Sequence, residues 1–258
     1  MMGNIALQDT KEKRTSKIEE IVFKCVFVLS VISITLMSKD FIFGTSWLPI
    51  KEMSEFTLAF IHCILGMIVL FIPRIILKVA GIKLPNMMCS YYYVFVFCAT
   101  ILGEVFSLYY LVPIWDSLLH FTSGILIGIF GAILITIILQ KKNCEKLITP
   151  KGIAIAVMFF TLCLGLVWEI YEFSADSLLG LNMQKFMLQD GTELIGQIAL
   201  VDTMKDLITD SLGALVAAIS SYFSLKRKRG WLSSYIPFEP CETSLEFGLE
   251  KNTLANTL

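Results

Sequence analysis

Six stretches of largely apolar residues follow one another along this chain of 258 residues, and they constrain its fold more than any other feature. They cover approximately residues 21–37, 55–72, 89–110, 116–140, 152–173 and 203–225. A helix needs about 20 apolar residues to cross about 30 Å of hydrocarbon, and only helices or closed barrels satisfy their backbone polar groups there. The sequence therefore predicts an all-α, polytopic bundle of six membrane-spanning helices.

The composition agrees with a membrane domain that carries polar ends. Hydrophobic residues make up 56% of the chain and charged residues 17%, whereas a soluble domain has about 25% charged residues. We expect a polar N-terminal tail at 1–18, a membrane domain at 19–229 and a C-terminal tail at 230–258. Residues 177–202 are too polar to span and too apolar for a simple loop, so we expect them to lie on, or dip into, the outer leaflet as a lid.

The positions of lysine and arginine predict the orientation of the chain. With the N-terminus inside, the inner segments hold fifteen of these residues and the outer segments hold three, Lys39, Lys51 and Lys185. Because positive charge accumulates on the cytoplasmic side, we expect both termini in the cytoplasm of a bacterium and the bundle in its plasma membrane. The net charge of −1 favours no nucleic-acid partner, and the expected surroundings are the lipid bilayer.

Acidic residues inside the predicted spans concentrate near the outer face and repeat at helical spacing. Because residues three and four apart share one face of a helix, each set forms a stripe on its span. The sets are Asp116 and His120; Glu169, Glu172 and Asp176; and Asp202, Asp206 and Asp210. Small residues on the fourth and sixth spans predict that these two helices approach closely. They are Gly124, Gly128, Gly213 and Ala214.

Simpler interpretations exist for the residues at helix ends. Asp116 could cap the fourth span, Asp202 or Thr203 could cap the sixth with Asp206 completing a capping box, and Asp176 could be solvated. Glu104 could lie at the interface, and His62 is expected to be a satisfied interior histidine. Capping does not account for the residues farther inside the helices, each of which costs about 2–4 kcal/mol in a membrane and usually carries function. A structural hydrogen-bonded network stays open as an alternative.

Several carboxylates this close together cannot all be ionised without compensation. Shared protons, a monovalent cation or one or two divalent metals would each compensate them, with Mg²⁺ or Mn²⁺ favoured over Zn²⁺ by the oxygen-rich ligands. The predicted metal ligands are Asp116, His120, Glu169, Glu172, Asp206 and Asp210. His120, Glu169 or Glu172 would act as catalytic acid or base. Lys205, Asp176 and Asp202 are candidate substrate contacts, with Lys205 facing an anionic head group.

The motifs "WDSLLHF", "GLVWEIYEF" and "DTMKDLITDSLGA", in that order, resemble the YjdF-like family of uncharacterised bacterial inner-membrane proteins. The similarity covers about residues 90–220. It implies a six-span integral membrane protein and no established activity.

The chain also resembles, more distantly, the VanZ-like family, which is associated with teicoplanin resistance. That family's pattern has Asp and His four apart, Glu-x-x-Gln, and Asp, Asn and Gly at intervals of four and three. The corresponding positions are Asp116 and His120, Glu169 and Glu172, and Asp206, Asp210 and Gly213. Glu172 replaces the Gln, Asp210 replaces the Asn, and the usual arginine before the first Asp is absent. The resemblance implies a shared polar site and a role in envelope or glycopeptide tolerance.

Three classes of function remain open on these grounds. The first is a divalent-metal-dependent enzyme that acts on a lipid or lipid-linked envelope substrate at the outer leaflet. The second is an ion- or proton-coupled transporter, and the third is a non-catalytic envelope-tolerance protein. A solvated path from the acidic site to the cytoplasmic side would favour a transporter, whereas a blind site would favour an enzyme or a binding protein.

Overall fold

A computed structural model describes residues 2–44, 53–82, 84–142, 144, 149–188, 191–227 and 231–232. The α-helices in this part of the chain are α1 (Met2–Phe43), α2 (Met53–Val69), α3 (Ile72–Ala80), α4 (Asn86–Phe97), α5 (Leu108–Leu111), α6 (Trp115–Lys141), α7 (Pro150–Leu179) and α8 (Val201–Lys226). A π-helical segment, Cys98–Val105, continues α4, and a 3₁₀ helix, Gly196–Leu200, leads into α8. The described residues contain no β-strand beyond one isolated bridge between Met187 and Glu193.

Six helical units in the described part are long and apolar enough to cross a membrane. They are Glu12–Phe43, Phe56–Ala80, Asn86–Val105, Trp115–Lys141, Pro150–Leu179 and Gly196–Lys226. Each overlaps one predicted span, which confirms the prediction of an all-α, multi-pass bundle. Residues 2–18, predicted as a polar tail, are the first part of α1, and most of the predicted tail 230–258 lies outside the described residues.

Helices α6, α7 and α8 pack mainly on one another, and α1, α2 and α4 with its π-helical extension form a second group. Glycines bring the backbones of α6 and α8 into direct contact. A Cβ on Gly213 would lie 2.3 Å from the carbonyl oxygen of Phe121, and one on Gly124 would lie 2.6 Å from that of Asp210. The close approach predicted from these small residues is confirmed.

Helix α7 shows how the three-helix group is polar inside and apolar outside. Its buried residues recur every three or four positions and therefore lie on one face. They are Ile153, Val157, Thr161, Gly165, Glu169, Glu172, Ala175 and Asp176. On the opposite face, Phe159 and Phe173 are 66% and 62% exposed. This arrangement suits a helix that contacts lipid on one side and a polar interior on the other.

The ends of α7 are fixed by local sequence. Thr149 caps its start by accepting a hydrogen bond from the backbone N–H of Gly152 (3.0 Å), and Gly180 ends it with φ +65°, a conformation that favours glycine. The end of α7 and the starts of α6 and α8 lie together. We call this end of the bundle, which carries residues 106–114, 180–188 and 191–200, the site end.

Candidate metal centre

The first turns of α6 bring an aspartate and a histidine into the interior of the bundle. Helix α6 begins at Trp115, so Asp116 lies in its first turn and His120 lies one turn further along. The residue before the helix, Ile114, makes no side-chain cap, and Asp116 is already helical. The interpretation of Asp116 as the helix cap is therefore wrong, and its carboxylate instead faces the buried ring of His120.

Both ring nitrogens of His120 face carboxylates. Nδ1 lies 3.4 Å from Oδ2 of Asp210, whereas Nε2 lies 3.7 Å from Oδ1 of Asp116 and 3.8 Å from Oδ2 of Asp206. The hydroxyl of Ser123 lies 2.7 Å from the carbonyl oxygen of His120 and 3.1 Å from the other oxygen of Asp210, two acceptors that share its one proton. Because a carboxylate accepts hydrogen bonds, Asp210 favours the tautomer with its proton on Nδ1, which leaves the Nε2 lone pair toward the other two aspartates.

The group formed by Asp116, His120 and Asp206 has the dimensions of a metal site. One potential ligand atom from each residue lies within 4.8 Å of the other two. The gaps at Nε2 are wider than a good hydrogen bond, and a metal with bonds of about 2.0–2.2 Å would bridge them. Asp206 is 1% exposed, and its Oδ1 atom has no hydrogen-bond partner in the structure. An unsatisfied oxygen this deeply buried points to a further partner.

Two glutamates on α7 face the same interior. Glu169 is 4% exposed, and neither of its carboxylate oxygens has a hydrogen-bond partner. Glu172 accepts a hydrogen bond from Nε1 of Trp168 (2.8 Å), one helical turn earlier. Both glutamates lie within electrostatic range of His120. The structure thus brings all six predicted metal ligands into one region.

Helix α8 supplies three aspartates at intervals of four residues. Asp202 lies in its first turn, and Asp206 and Asp210 follow on the buried face. The helix is preceded by Leu200 and has no side-chain cap, so the interpretation of Asp202 and Asp206 as a capping arrangement is wrong. Gly165 of α7 makes room for Asp210, because a Cβ there would lie 2.7 Å from its Oδ2 atom.

A lysine that no sequence pattern singled out supplies positive charge to the site. The ammonium group of Lys185 pairs with Asp116 and lies 3.0 Å from Oδ1 of Asp202. Burial by itself lowers the pKa of Lys185, but these two carboxylates outweigh burial and raise the pKa above its ordinary value of 10.5. Lys185 is therefore charged at neutral pH. Lys205, which we expected to contact an anionic head group of the substrate, lies exposed on α8.

The loop that carries Lys185 is anchored by Asp176. The two oxygens of Asp176 accept hydrogen bonds from the backbone N–H groups of Met183 (2.7 Å) and Gln184 (2.9 Å). The interpretation of Asp176 as a solvated helix end is wrong, because it is buried and occupied by these bonds. The side-chain amide of Gln184 also donates to Oγ1 of Thr203 on α8 (2.9 Å). Residues 180–188 are thus folded back against the site end of the bundle.

Acidic groups outnumber basic groups at this site. The carboxylates are those of Asp116, Glu169, Glu172, Asp202, Asp206 and Asp210. Among the described residues, the cations that contact them are Lys185 and, when protonated, His120. Because neighbouring carboxylates disfavour one another's ionised forms, the excess requires shared protons or a further cation.

A separate, partly buried hydrogen-bonded pair lies in the other helix group. Nδ1 of His62 is 2.7 Å from Oε1 of Glu104, which confirms that His62 is a satisfied interior histidine and gives Glu104 a partner. Tyr109 follows this pair and packs so closely on Gly103 that a Cβ there would lie 2.3 Å from its ring. Burial, and then the carboxylate of Glu104, raise the pKa of Tyr109, which is also within electrostatic range of Asp116. Tyr109 therefore lies near both polar groups.

Comparison with known proteins identifies a family but no activity. The family described as "Predicted membrane protein (DUF2238)" matches residues 26–227. An uncharacterized protein of Thermotoga maritima is 31% identical over 124 residues, an alignment that spans 48% of this chain and 55% of that relative. No solved structure matches the chain. The family match agrees with the resemblance to YjdF-like proteins, while the VanZ-like resemblance stays a prediction.

Proposed function

The chain belongs to the DUF2238 family of predicted membrane proteins, and from that premise we propose that its acidic site binds a divalent metal ion. One observation carries the proposal. Nε2 of His120 faces Asp116 and Asp206, while Nδ1 faces Asp210. Histidines that bind metals commonly donate their other ring N–H to a carboxylate, which fixes the tautomer and the ring orientation.

In this proposal Asp116, His120 and Asp206 are the protein ligands. Asp210, which the sequence predicted to be a metal ligand, instead orients the ring of His120 in this proposal. Two carboxylates and one imidazole suit Mn²⁺, Mg²⁺ or Zn²⁺. Glu169 and Glu172 of α7 lie close enough to His120 to affect the electrostatic environment of the ion.

The chemistry that we propose is metal-assisted hydrolysis or transfer at a lipid or lipid-linked envelope substrate. A bound divalent ion polarises a phosphoryl or acyl oxygen and lowers the pKa of a bound water. Glu169 would serve as the general base, because it is buried within electrostatic range of His120, with the side chains of Gln184 and Thr203 beside its oxygens. His120 lies about 7 Å inside α6 by helical rise, near the depth of a lipid head group. The apolar outer faces of the surrounding helices would admit a substrate with an acyl chain.

The packing beyond the site gives no support to a transporter. Toward the opposite end of the bundle, a Cβ on Gly128 of α6 would lie 2.4 Å from Cβ of Ala217 on α8, and Ile133 and Val157 are fully buried there. Helices α6, α7 and α8 are continuous, whereas many transporters bind ions at broken helices. This arrangement favours a site that opens at one end over a path that crosses the bundle.

Metal analysis of the purified, detergent-solubilised protein tests the proposal. We expect wild type to retain or rebind one of Mn²⁺, Mg²⁺ or Zn²⁺ at micromolar concentration, and Asp206→Asn to lose it. Asp210→Asn should bind more weakly than wild type, because an amide that donates toward Nδ1 disturbs the histidine tautomer. Glu20→Gln removes an exposed carboxylate on α1 and should bind normally. If wild type binds none of these metals, or if Asp206→Asn binds as well as Glu20→Gln, the proposed site is wrong.

Catalysis is tested by incubating the metal-loaded protein with a bacterial lipid extract in mixed micelles and following its species by mass spectrometry. We expect metal-dependent loss of one lipid species and formation of its product, and no such change with Glu169→Gln. Metal binding without any turnover would instead favour the non-catalytic envelope-tolerance function.

A further inference from the structure

Lys185 pairs with the carboxylate of Asp116, which is also one of the three proposed metal ligands. Oδ1 of Asp116 faces Nε2 of His120, while Oδ2 of the same group pairs with the ammonium of Lys185. The lysine side chain is about 70% buried, so its charge is only partly screened by water. Two cations on the two oxygens of one carboxylate repel each other, and burial strengthens that repulsion. Occupation of this site by a metal is therefore linked to the position of Lys185.

The backbone at Lys185 is in a conformation that the side chain must help to hold. Its φ is +47°, in the left-handed region that residues other than glycine rarely adopt. Such strain persists when the surrounding contacts fix it. Here the fixing contacts are the ion pairs to Asp116 and Asp202 and the two backbone hydrogen bonds that Asp176 accepts. Loss of the ion pairs would leave residues 180–188 held to the bundle by the bonds to Asp176 and by the bond from Gln184 to Thr203.

We propose that Lys185 is an internal cation that competes with the metal for Asp116, so that metal binding releases residues 180–188 from the site end. The inference rests on the proposed metal site and adds its regulation. The lysine neutralises Asp116 and Asp202 and closes the site end while no metal is bound. Displacement by the metal opens the site end at the moment when the site becomes competent to act on a substrate.

The affinity of detergent-solubilised full-length variants for Mn²⁺ tests the competition. Lys185→Met keeps the aliphatic stem and removes the charge. It should bind Mn²⁺ about tenfold more tightly than wild type, the factor expected when a closed form of about 90% population is abolished. Lys151→Met is the matched control, because it removes the same charge from an exposed position at the start of α7, at the other end of the bundle. Its affinity should stay close to that of wild type.

Limited trypsin digestion of wild type reports release directly. Trypsin cleaves after lysine, and cleavage after Lys185 requires its side chain to leave the aspartates. We expect saturating Mn²⁺ to accelerate cleavage after Lys185, detected by mass spectrometry as a new C-terminus at Lys185, by about tenfold. That factor follows if the bound metal abolishes a closed form of about 90% population. Asp206→Asn should show no acceleration, which excludes an effect of Mn²⁺ on the protease.

These measurements separate failure of the inference from failure of the proposed function. Equal Mn²⁺ affinity in Lys185→Met and Lys151→Met, or weaker binding in Lys185→Met, overturns the competition and leaves the metal site standing. Unchanged or slower cleavage after Lys185 in Mn²⁺-saturated wild type overturns the release. If wild type and both lysine variants bind no Mn²⁺, Zn²⁺ or Mg²⁺, the metal site itself is wrong and the inference fails with it.

Discussion

Three aspartates at helix ends, Asp116, Asp176 and Asp202, all contact residues 180–188. Asp116 and Asp202 do so through the side chain of Lys185, and Asp176 does so through backbone N–H groups. An aspartate at such a position often caps its own helix, but here the three carboxylates on three helices hold one connecting segment. At the scale of single residues, the fold uses these acids to close the site end.

Asp176 gives the clearest test of this role. Asp176→Ala should lower the free energy of unfolding by about 2 kcal/mol or more, because both backbone donors lose a charged acceptor. Asp176→Asn should lower it less, since the amide keeps one acceptor oxygen. Ser174→Ala is the control, because that hydroxyl is exposed and bonds only to the carbonyl of Ile170 in its own helix. Denaturant titration in detergent measures all three, and equal stability of Asp176→Ala and Ser174→Ala would contradict the role.

At the scale of helices, periodicity explains what could be predicted and what could not. The intervals of three and four residues placed His120, Glu169 and Asp206 on inward faces, because helical geometry is local in sequence. The partner of each group is not local. Lys185 lies 69 residues from Asp116, and His62 lies 42 residues from Glu104, so both contacts depend on how the helices are arranged. No sequence period contains that information.

The contact between α6 and α8 depends on glycine in a way that can be measured. In Gly213→Ala the new methyl group would lie 2.3 Å from the backbone carbonyl of Phe121, so the helices must separate. We expect a loss of about 1–3 kcal/mol in stability together with weaker metal binding. At Gly131 the nearest obstacle is the ring of Phe160, which can rotate, so Gly131→Ala should cost less. Equal unfolding midpoints for the two variants would show that the backbone contact is not required.

A double-mutant cycle measures how much the contact between His62 and Glu104 stabilises the protein. Either His62→Leu or Glu104→Leu should destabilise the protein, because each leaves one partly buried polar side chain without its hydrogen-bond partner. The double variant should be more stable than the sum of the single effects predicts, by about 1–3 kcal/mol. Unfolding of the four proteins in detergent gives the coupling. Additive effects would mean that the 2.7 Å contact contributes no coupling energy.

At the scale of the whole molecule, the two helix groups differ in what they contribute. The group of α6, α7 and α8 carries every proposed metal ligand and the closest backbone contacts. The group of α1, α2 and α4 packs through aromatic side chains, with Phe23 against Tyr93 and Phe71, and reaches toward the site through Tyr109. The family match covers both groups, which indicates that the six helices form one unit.

The orientation of this unit in the membrane is the remaining prediction at that scale. Lys185 is paired with aspartates of the site. Lys39 and Lys51 are therefore the two predicted outer lysines whose charge can influence the orientation, whereas the predicted inner segments hold fifteen lysine and arginine residues. Both termini should therefore be cytoplasmic and the site end should face outward.

A fluorescent protein fused after Leu258 should fluoresce, as it does when it folds in the cytoplasm. Ile195 at the site end is 85% exposed, so Ile195→Cys should react with a membrane-impermeant maleimide in intact cells, above the wild-type background. Labelling of Ile195→Cys only after lysis, together with a dark fusion, would reverse the orientation and place the proposed chemistry at the inner leaflet.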